Sequence, residues 1–218
     1  FVDGLTVSVS KGTWIHLGGN PIEVTATGTL YGPFDEQPTE ADTPPAGAPV
    51  AGTESVTLTG AGSYTSPGTI VAPESGFYTW VWSIDKTAHG ENAKYLTDSF
   101  TDRFGQVTET SVVPFQPEAV SEADQRLAVP GDALTDTITV SSSNGAWLKE
   151  DGQHNPLVSE GTAYQVPGTL PPAQNNGIDP NAVPLGTVAV TADGPGVYTS
   201  PSVIAPTGGF MTWVWEVR

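Results

Sequence analysis

Three histidines, 24 carboxylates and six tryptophans are the side chains through which this 218-residue chain could do chemistry. Nucleophilic hydrolysis needs a serine or cysteine beside a histidine and a carboxylate. The chain has no cysteine, and no G-x-S-x-G elbow accompanies His16, His89 or His154. Paired-cysteine and HExxH zinc patterns are absent, as is the D-x-[DN]-x-[DN]-G calcium loop. Scattered oxygen ligands for calcium occur in NNGID at 175–179 and around 98–102, but acidic loops of this kind are more often merely solvated. Two carboxylates about 5–10 Å apart would serve glycoside hydrolysis. Among 24 acids some pair meets that spacing by chance, so none is assigned. A stabilising isopeptide would join Lys11 to an Asn or Asp on a neighbouring strand, and an ester would join Thr137 to a partner such as Gln106.

Recurrence within the chain is the test for all of these. TVSVSKGTW at 6–14 returns as TVSSSNGAW at 139–147, and GTLY at 28–31 returns as GTAY at 161–164. YTSP at 64–67 returns at 198–201, and APESGFYTWVW at 72–82 returns as APTGGFMTWVW at 205–215. The offset is 133 or 134 throughout, so the chain holds two copies of one module. His16 falls opposite Glu150 or its neighbours, and no histidine recurs. Lys11 falls opposite Asn144 and Thr137 opposite Gly4, so neither cross-link recurs. The tryptophans do recur, as Trp14/Trp147, Trp80/Trp213 and Trp82/Trp215. They could stack on sugars, but recurrence favours packing, because aromatic rings carry large buried areas.

The elements that position these residues read as short strands. Alternation and β-branched or aromatic enrichment mark 5–10, 22–30, 55–59, 62–64, 76–84 and 107–113 in the first copy. In the second they mark 137–142, 161–166, 186–191, 196–198 and 210–217. Within 76–84, Tyr78, Trp80 and Trp82 share one face and Phe77, Thr79 and Val81 the other, so this strand is expected at the centre of a sheet or under a loop. Long Pro-rich breaks at 32–51 and roughly 167–184 occupy the same place in each copy and are expected to be functional or disordered loops. No long stretch has helical periodicity; the best short candidate, 118–127, lies in a segment that reads more readily as a linker. The first copy carries a tail over 85–113 that the second lacks, while 119–131 precedes the second copy only. The chain is therefore expected to be a piece of a longer protein with further copies.

Composition sets outer bounds. Gly and Pro supply 45 residues, normal for a chain of short strands and many turns. With 24 acidic and 7 basic residues the net charge is −17; such a surface repels a phosphate backbone and anionic lipid. Its plain consequence is solubility and self-repulsion. No run is long enough for a membrane-spanning helix.

TGTLYGPFD (27–35), APVAGT (48–53), GSYTSP (62–67), GFYTWVWSI (76–84), FGQVTETSVV (104–113) and VPGDALTDTITVS (129–141) together resemble the tandem repeats of long actinobacterial, wall-anchored, adhesin-like surface proteins. The resemblance implies immunoglobulin-like repeats, a secretion signal, a C-terminal sorting signal and surface display. It carries over no catalytic residue. The second copy departs from it at GTAYQVPGTLPP, and the cysteines such repeats often carry are absent.

The expected fold is thus all-β: two tandem immunoglobulin-like, Greek-key β-sandwiches joined by a short linker. The expected boundaries are 1–115 for the first repeat, its N-terminal strand missing, and 132–218 for the second, its C-terminal strand missing. Residues 116–131 are a linker or the first strand of repeat 2. The expected function is a structural or adhesive, non-enzymatic segment of an extracellular cell-surface protein, with no catalytic, cofactor or metal site. Its partners would be neighbouring repeats, identical chains, or a host or environmental glycan or protein. The alternatives are a filament or surface-layer subunit built by strand complementation, and a carbohydrate-binding module.

Overall fold

The computed structural model describes residues 1–168 and 177–217. The chain is all-β, and it divides into two compact units, Phe1–Pro114 and Phe115–Arg218. Helical structure among the described residues is confined to 3₁₀ turns at Lys86–Tyr95 and Val107–Glu109. The longer one is broken at Gly90, whose φ of 50° belongs to the left-handed region open to glycine. No helix among the described residues is long and apolar enough to cross a membrane.

The first unit contains β1 (Gly4–Val7), a hairpin of β2 (His16–Leu17) and β3 (Asn20–Pro21), then β4 (Val24–Phe34), β5 (Val50–Leu58), β6 (Gly62–Thr65), β7 (Gly76–Ile84), β8 (Phe100–Thr101) and β9 (Thr110–Val113). β1 pairs with β6, while the larger sheet runs β5-β4-β7, with β8 and β9 both on the outer edge of β7. Strand β4 alternates as the sequence pattern requires, burying Val24, Ala26, Gly28, Leu30 and Gly32. β7 is buried on both faces because it lies mid-sheet. Its Tyr78, Trp80 and Trp82 enter the core with Ile22, Leu30, Val56 and Leu58, while Thr79 and Val81 on the opposite face are also buried.

The second unit contains β10 (Pro117–Ala123), β11 (Ala133–Leu134), β12 (Asp136–Ser142), a hairpin of β13 (Lys149–Glu150) and β14 (Gln153–His154), then β15 (Leu157–Val166), β16 (Val183–Ala192), β17 (Gly196–Thr199), β18 (Val203–Ile204) and β19 (Phe210–Val217). One sheet runs β10-β12-β17 and the other β16-β15-β19. The core between them gathers Ile138, Val140, Trp147, Val190 and Ala192.

Two sequence expectations need correction. The short helical candidate at 118–127, within the segment read as a linker or the first strand of the second repeat, is strand over Pro117–Ala123, paired with β12 from Pro117↔Ser142 to Ala123↔Asp136. An edge strand needs little apolar surface, because its ladder and one covered face hold it. The Pro-rich break of the first copy is also not a free loop. Ala41 and Phe104 exchange two backbone hydrogen bonds of 3.0 and 2.9 Å. Gln37 Nε2 donates to Gly105 O and Thr110 Oγ1, each at 3.2 Å, and Arg103 ion-pairs with Glu40 and Asp42. The tail of the first copy thus holds its long loop in place. Of the corresponding segment in the second copy, 169–176 lies outside the described residues.

Candidate functional site

The histidines stand in unlike settings. His16 is exposed on β2, its Nδ1 3.0 Å from Trp14 O. His89 is held between backbone groups: its Nε2 accepts from Thr25 N at 2.7 Å and its Nδ1 lies 2.7 Å from Asp85 O. His154 pairs with Lys149 in the β13–β14 hairpin. The cross-link candidates are otherwise engaged. Thr137 Oγ1 donates to Asp124 Oδ1 at 2.6 Å, and Gln106 Nε2 donates to Asp102 Oδ1 and Arg103 O. Asn144 Oδ1 accepts from Gln116 N, and Lys11 is exposed. Among the described residues no group of three or more His, Cys, Asp or Glu could hold a metal ion. The calcium candidate at 175–179 lies partly outside the described residues. At 98–102, Asp102 Oδ1 accepts from Arg103 N and Gln106 Nε2.

What does recur is an aspartate–tryptophan–glycine cluster in the core. In the first unit Trp82 Nε1 donates to Asp3 Oδ2 at 2.6 Å. Asp3 N donates to Ser66 Oγ at 2.9 Å, and Ser66 N donates back to Asp3 O at 2.8 Å. In the second, Trp215 Nε1 donates to Asp136 Oδ2 at 2.7 Å, and Asp136 and Ser200 exchange the same pair of bonds, both 2.9 Å. Gly28 lies opposite Trp82 in the β4–β7 ladder and Gly161 opposite Trp215 in the β15–β19 ladder. A Cβ on either glycine would fall 2.6 or 2.5 Å from the indole, so the absence of a side chain is what lets each ring lie flat on the neighbouring strand. Two further bonds repeat. Trp14 Nε1 donates to Ile22 O and Trp147 Nε1 to Asn155 O, at 2.9 and 2.8 Å. The hydroxyls of Tyr64 and Tyr198 donate to Gly60 O and Gly194 O, at 3.0 and 2.9 Å.

The motif comparison found the tryptophans and missed the aspartates. The signal was present, since Asp3 and Asp136 are also 133 apart. They stand just outside the most similar block, and a carboxylate is an unexpected core residue unless its donor, 79 positions away, is considered with it.

Electrostatics then separate the two clusters. In the first unit the tail brings Glu109 against Asp3. Burial, the Asp3 and Asp102 charges and a hydrogen bond to Asp3 push the Glu109 carboxyl up to about 7. In the second unit Asp136 is fully buried. Burial raises its carboxyl above the usual range, against the lowering influence of the Trp215 indole and the Ser121 hydroxyl, with Asp124 adding a like charge. Its Oδ1 has no hydrogen-bond partner among the described residues.

This arrangement has a consequence for pH. A carboxyl raised in the folded state keeps a proton that the unfolded chain has already released. Stability of the first unit should therefore fall as pH rises from about 4.5 to about 7. The first unit's carboxylates held low by hydrogen bonds, Glu54 and Asp85, act with the opposite sign, but below that window. We expect the denaturant midpoint of the first unit to be higher at pH 5 than at pH 8, and Glu109→Gln to remove most of the difference. A variant with an unchanged pH profile would contradict this assignment.

Fold and cluster define an all-β chain whose two units repeat one set of buried hydrogen bonds around a tryptophan. Compared with family models, with curated proteins and with solved structures, the chain matches none.

Proposed function

We propose that the chain is a tandem pair of immunoglobulin-like modules serving as a structural or adhesive, non-catalytic segment of an extracellular bacterial surface protein. One observation carries the reading: what the two units have in common is packing chemistry. Asp3/Asp136, Ser66/Ser200, Trp82/Trp215 and Gly28/Gly161 return with the same bonds, whereas His16 and Lys11 have no like residue at the matching position. Selection that preserves only the core in each copy fits a spacer, whose task is to stay folded and extended. The net charge of −17 supports it by keeping such segments apart in solution, and the sequence motifs resemble repeats of that class.

The test is mechanical. Pulled by its ends in an atomic force microscope, the chain should yield two separate unfolding events. Each should release about 35–40 nm, from roughly 3.3–3.6 Å per residue over units of the observed size. One event spanning the whole chain, or extension without force peaks, would count against the spacer reading. The carbohydrate-binding alternative draws on the half-buried Trp213 and Trp215; a saturable emission shift on glycan titration would move the assignment to it.

A further inference from the structure

Beyond the last pair of the β4–β7 ladder, Thr27↔Ser83, the chain leaves β7 and folds back as the 3₁₀ segment Lys86–Tyr95. That segment returns a side chain to β4. The Thr25 N–H donates to His89 Nε2 at 2.7 Å, and His89 Nδ1 lies 2.7 Å from Asp85 O. A backbone amide donates and a backbone carbonyl accepts, and neither can exchange roles. The two contacts therefore fix the proton: Nδ1 carries it and Nε2 is bare, one of the two neutral forms of the ring. An imidazolium has a hydrogen on both nitrogens. At Nε2 it would meet the hydrogen of Thr25 head-on. The segment has a second, weaker tie to this region, a bond of 3.3 Å from Asn92 Nδ2 to Glu23 O, and none of its residues is fully buried.

The charges around the ring do not hold it in place once it is protonated. The Asp85 carboxylate attracts it, but that group is exposed and already accepts from Thr87 N and Oγ1, at 2.9 and 2.8 Å. On the side of β4, Glu23 is exposed just before the strand, and β5 sets the uncharged Thr57 opposite Thr25. Within the segment, Lys86 Nζ donates to Thr97 O, and Glu91 pairs with Lys94 at 3.3 Å. Attraction between exposed charges is weak and screened, whereas two donors facing each other at bonding distance repel directly. An imidazolium thus keeps Asp85 and gives up Thr25.

We propose that His89 is an acid-released latch. Neutral, it pins the segment Lys86–Tyr95 to the head of β4; protonated, it lets the segment swing away, freeing the Thr25 N–H and drawing Leu96, which packs against the core at the segment's end, out of contact. The latch goes beyond the spacer reading and does not depend on it. A contact that needs neutral imidazole is complete above histidine's ordinary titration range and is lost as pH falls through it, between about pH 8 and 5. This sign is opposite to that of Glu109. The two are told apart by place, because Glu109 sits on another segment and bears on the whole unit, while the latch opens locally.

The experiment is nuclear magnetic resonance on the full ¹⁵N-labelled chain. At pH 7.5 the ring nitrogens of His89 should report a proton on Nδ1. Between pH 7.5 and pH 5 the amide protection factors of Thr25 and of 86–96 should fall about five- to tenfold, the worth of one ordinary hydrogen bond, while those of 76–84 hold. His89→Gln supplies an amide that can donate to Asp85 O and accept from Thr25 N but cannot titrate, so Thr25 should stay protected at both pH values. His16→Gln should leave the drop in place. A proton on Nε2 at pH 7.5, or Thr25 protection indifferent to pH in the unaltered chain, would overturn the latch whether or not the His89 variant folds. So would a His89→Gln chain that loses protection in acid as the unaltered one does.

Discussion

Replacing Trp82 by alanine is expected to destabilise the first unit by about 3–5 kcal/mol, the range for removing a large buried aromatic side chain. The indole fills the core between Tyr78, Trp80 and the strands of the opposing sheet. It stacks on Trp80 with centroids 5.4 Å apart and donates its N–H to one oxygen of Asp3. Truncation therefore opens a cavity and leaves a carboxylate oxygen without its donor. Trp215→Ala repeats the loss of the donor to Asp136, but its ring is half-buried, so the expected loss in the second unit is smaller. Urea titration followed by amide exchange of each unit reads the two effects separately. Equal losses, or a larger one at Trp215, would show that the exposure difference has no energetic counterpart.

Gly28→Ala and Gly161→Ala are expected to be costly for a single added methyl, because no rotamer change can relieve a Cβ. Each would stand 2.5–2.6 Å from an indole carbon, well inside van der Waals contact. The ring or the strand must move, and overpacking of this order costs about 1–3 kcal/mol. Alanine ordinarily suits a strand better than glycine does, so the sign of the effect is itself diagnostic. Combined with Trp82→Ala, the Gly28→Ala penalty should vanish, since the indole it strikes is gone. The same holds for Gly161 with Trp215. Thermal unfolding of single and double variants checks this, and a penalty that survives removal of the tryptophan would refute the steric account.

How much of this was legible in the sequence depended on where each residue's reason lies. The strand Gly76–Ile84 was read with its present bounds, because aromatic and β-branched residues on both faces mark a central strand wherever it occurs. The pairing of tryptophans across copies likewise needed only the offset. β10 was legible only as one of two readings, a linker or the first strand of the second repeat: PEAVSEA carries two charges and little apolar surface, and its ladder with β12 makes it extended. β15 begins four residues earlier than its apolar run, at Leu157–Glu160. Ser159 there is buried by packing that no local pattern announces. The Pro-rich segment after β4 read as a free loop because its anchors, Phe104 and Arg103, lie more than 60 residues on. Asp3 and Asp136 were hidden for the opposite reason. Their repeat spacing was in plain view, but hydrophobic patterning gives a carboxylate no place in a core.

The most direct measurement is a pair of double-mutant cycles, Asp3→Asn with Trp82→Phe and Asp136→Asn with Trp215→Phe, each read by urea unfolding of its own unit. If the chain is one packing module built twice, both cycles should give favourable coupling of the same sign, about 1–3 kcal/mol for a hydrogen bond to a charged group. Coupling in one unit and none in the other would contradict it.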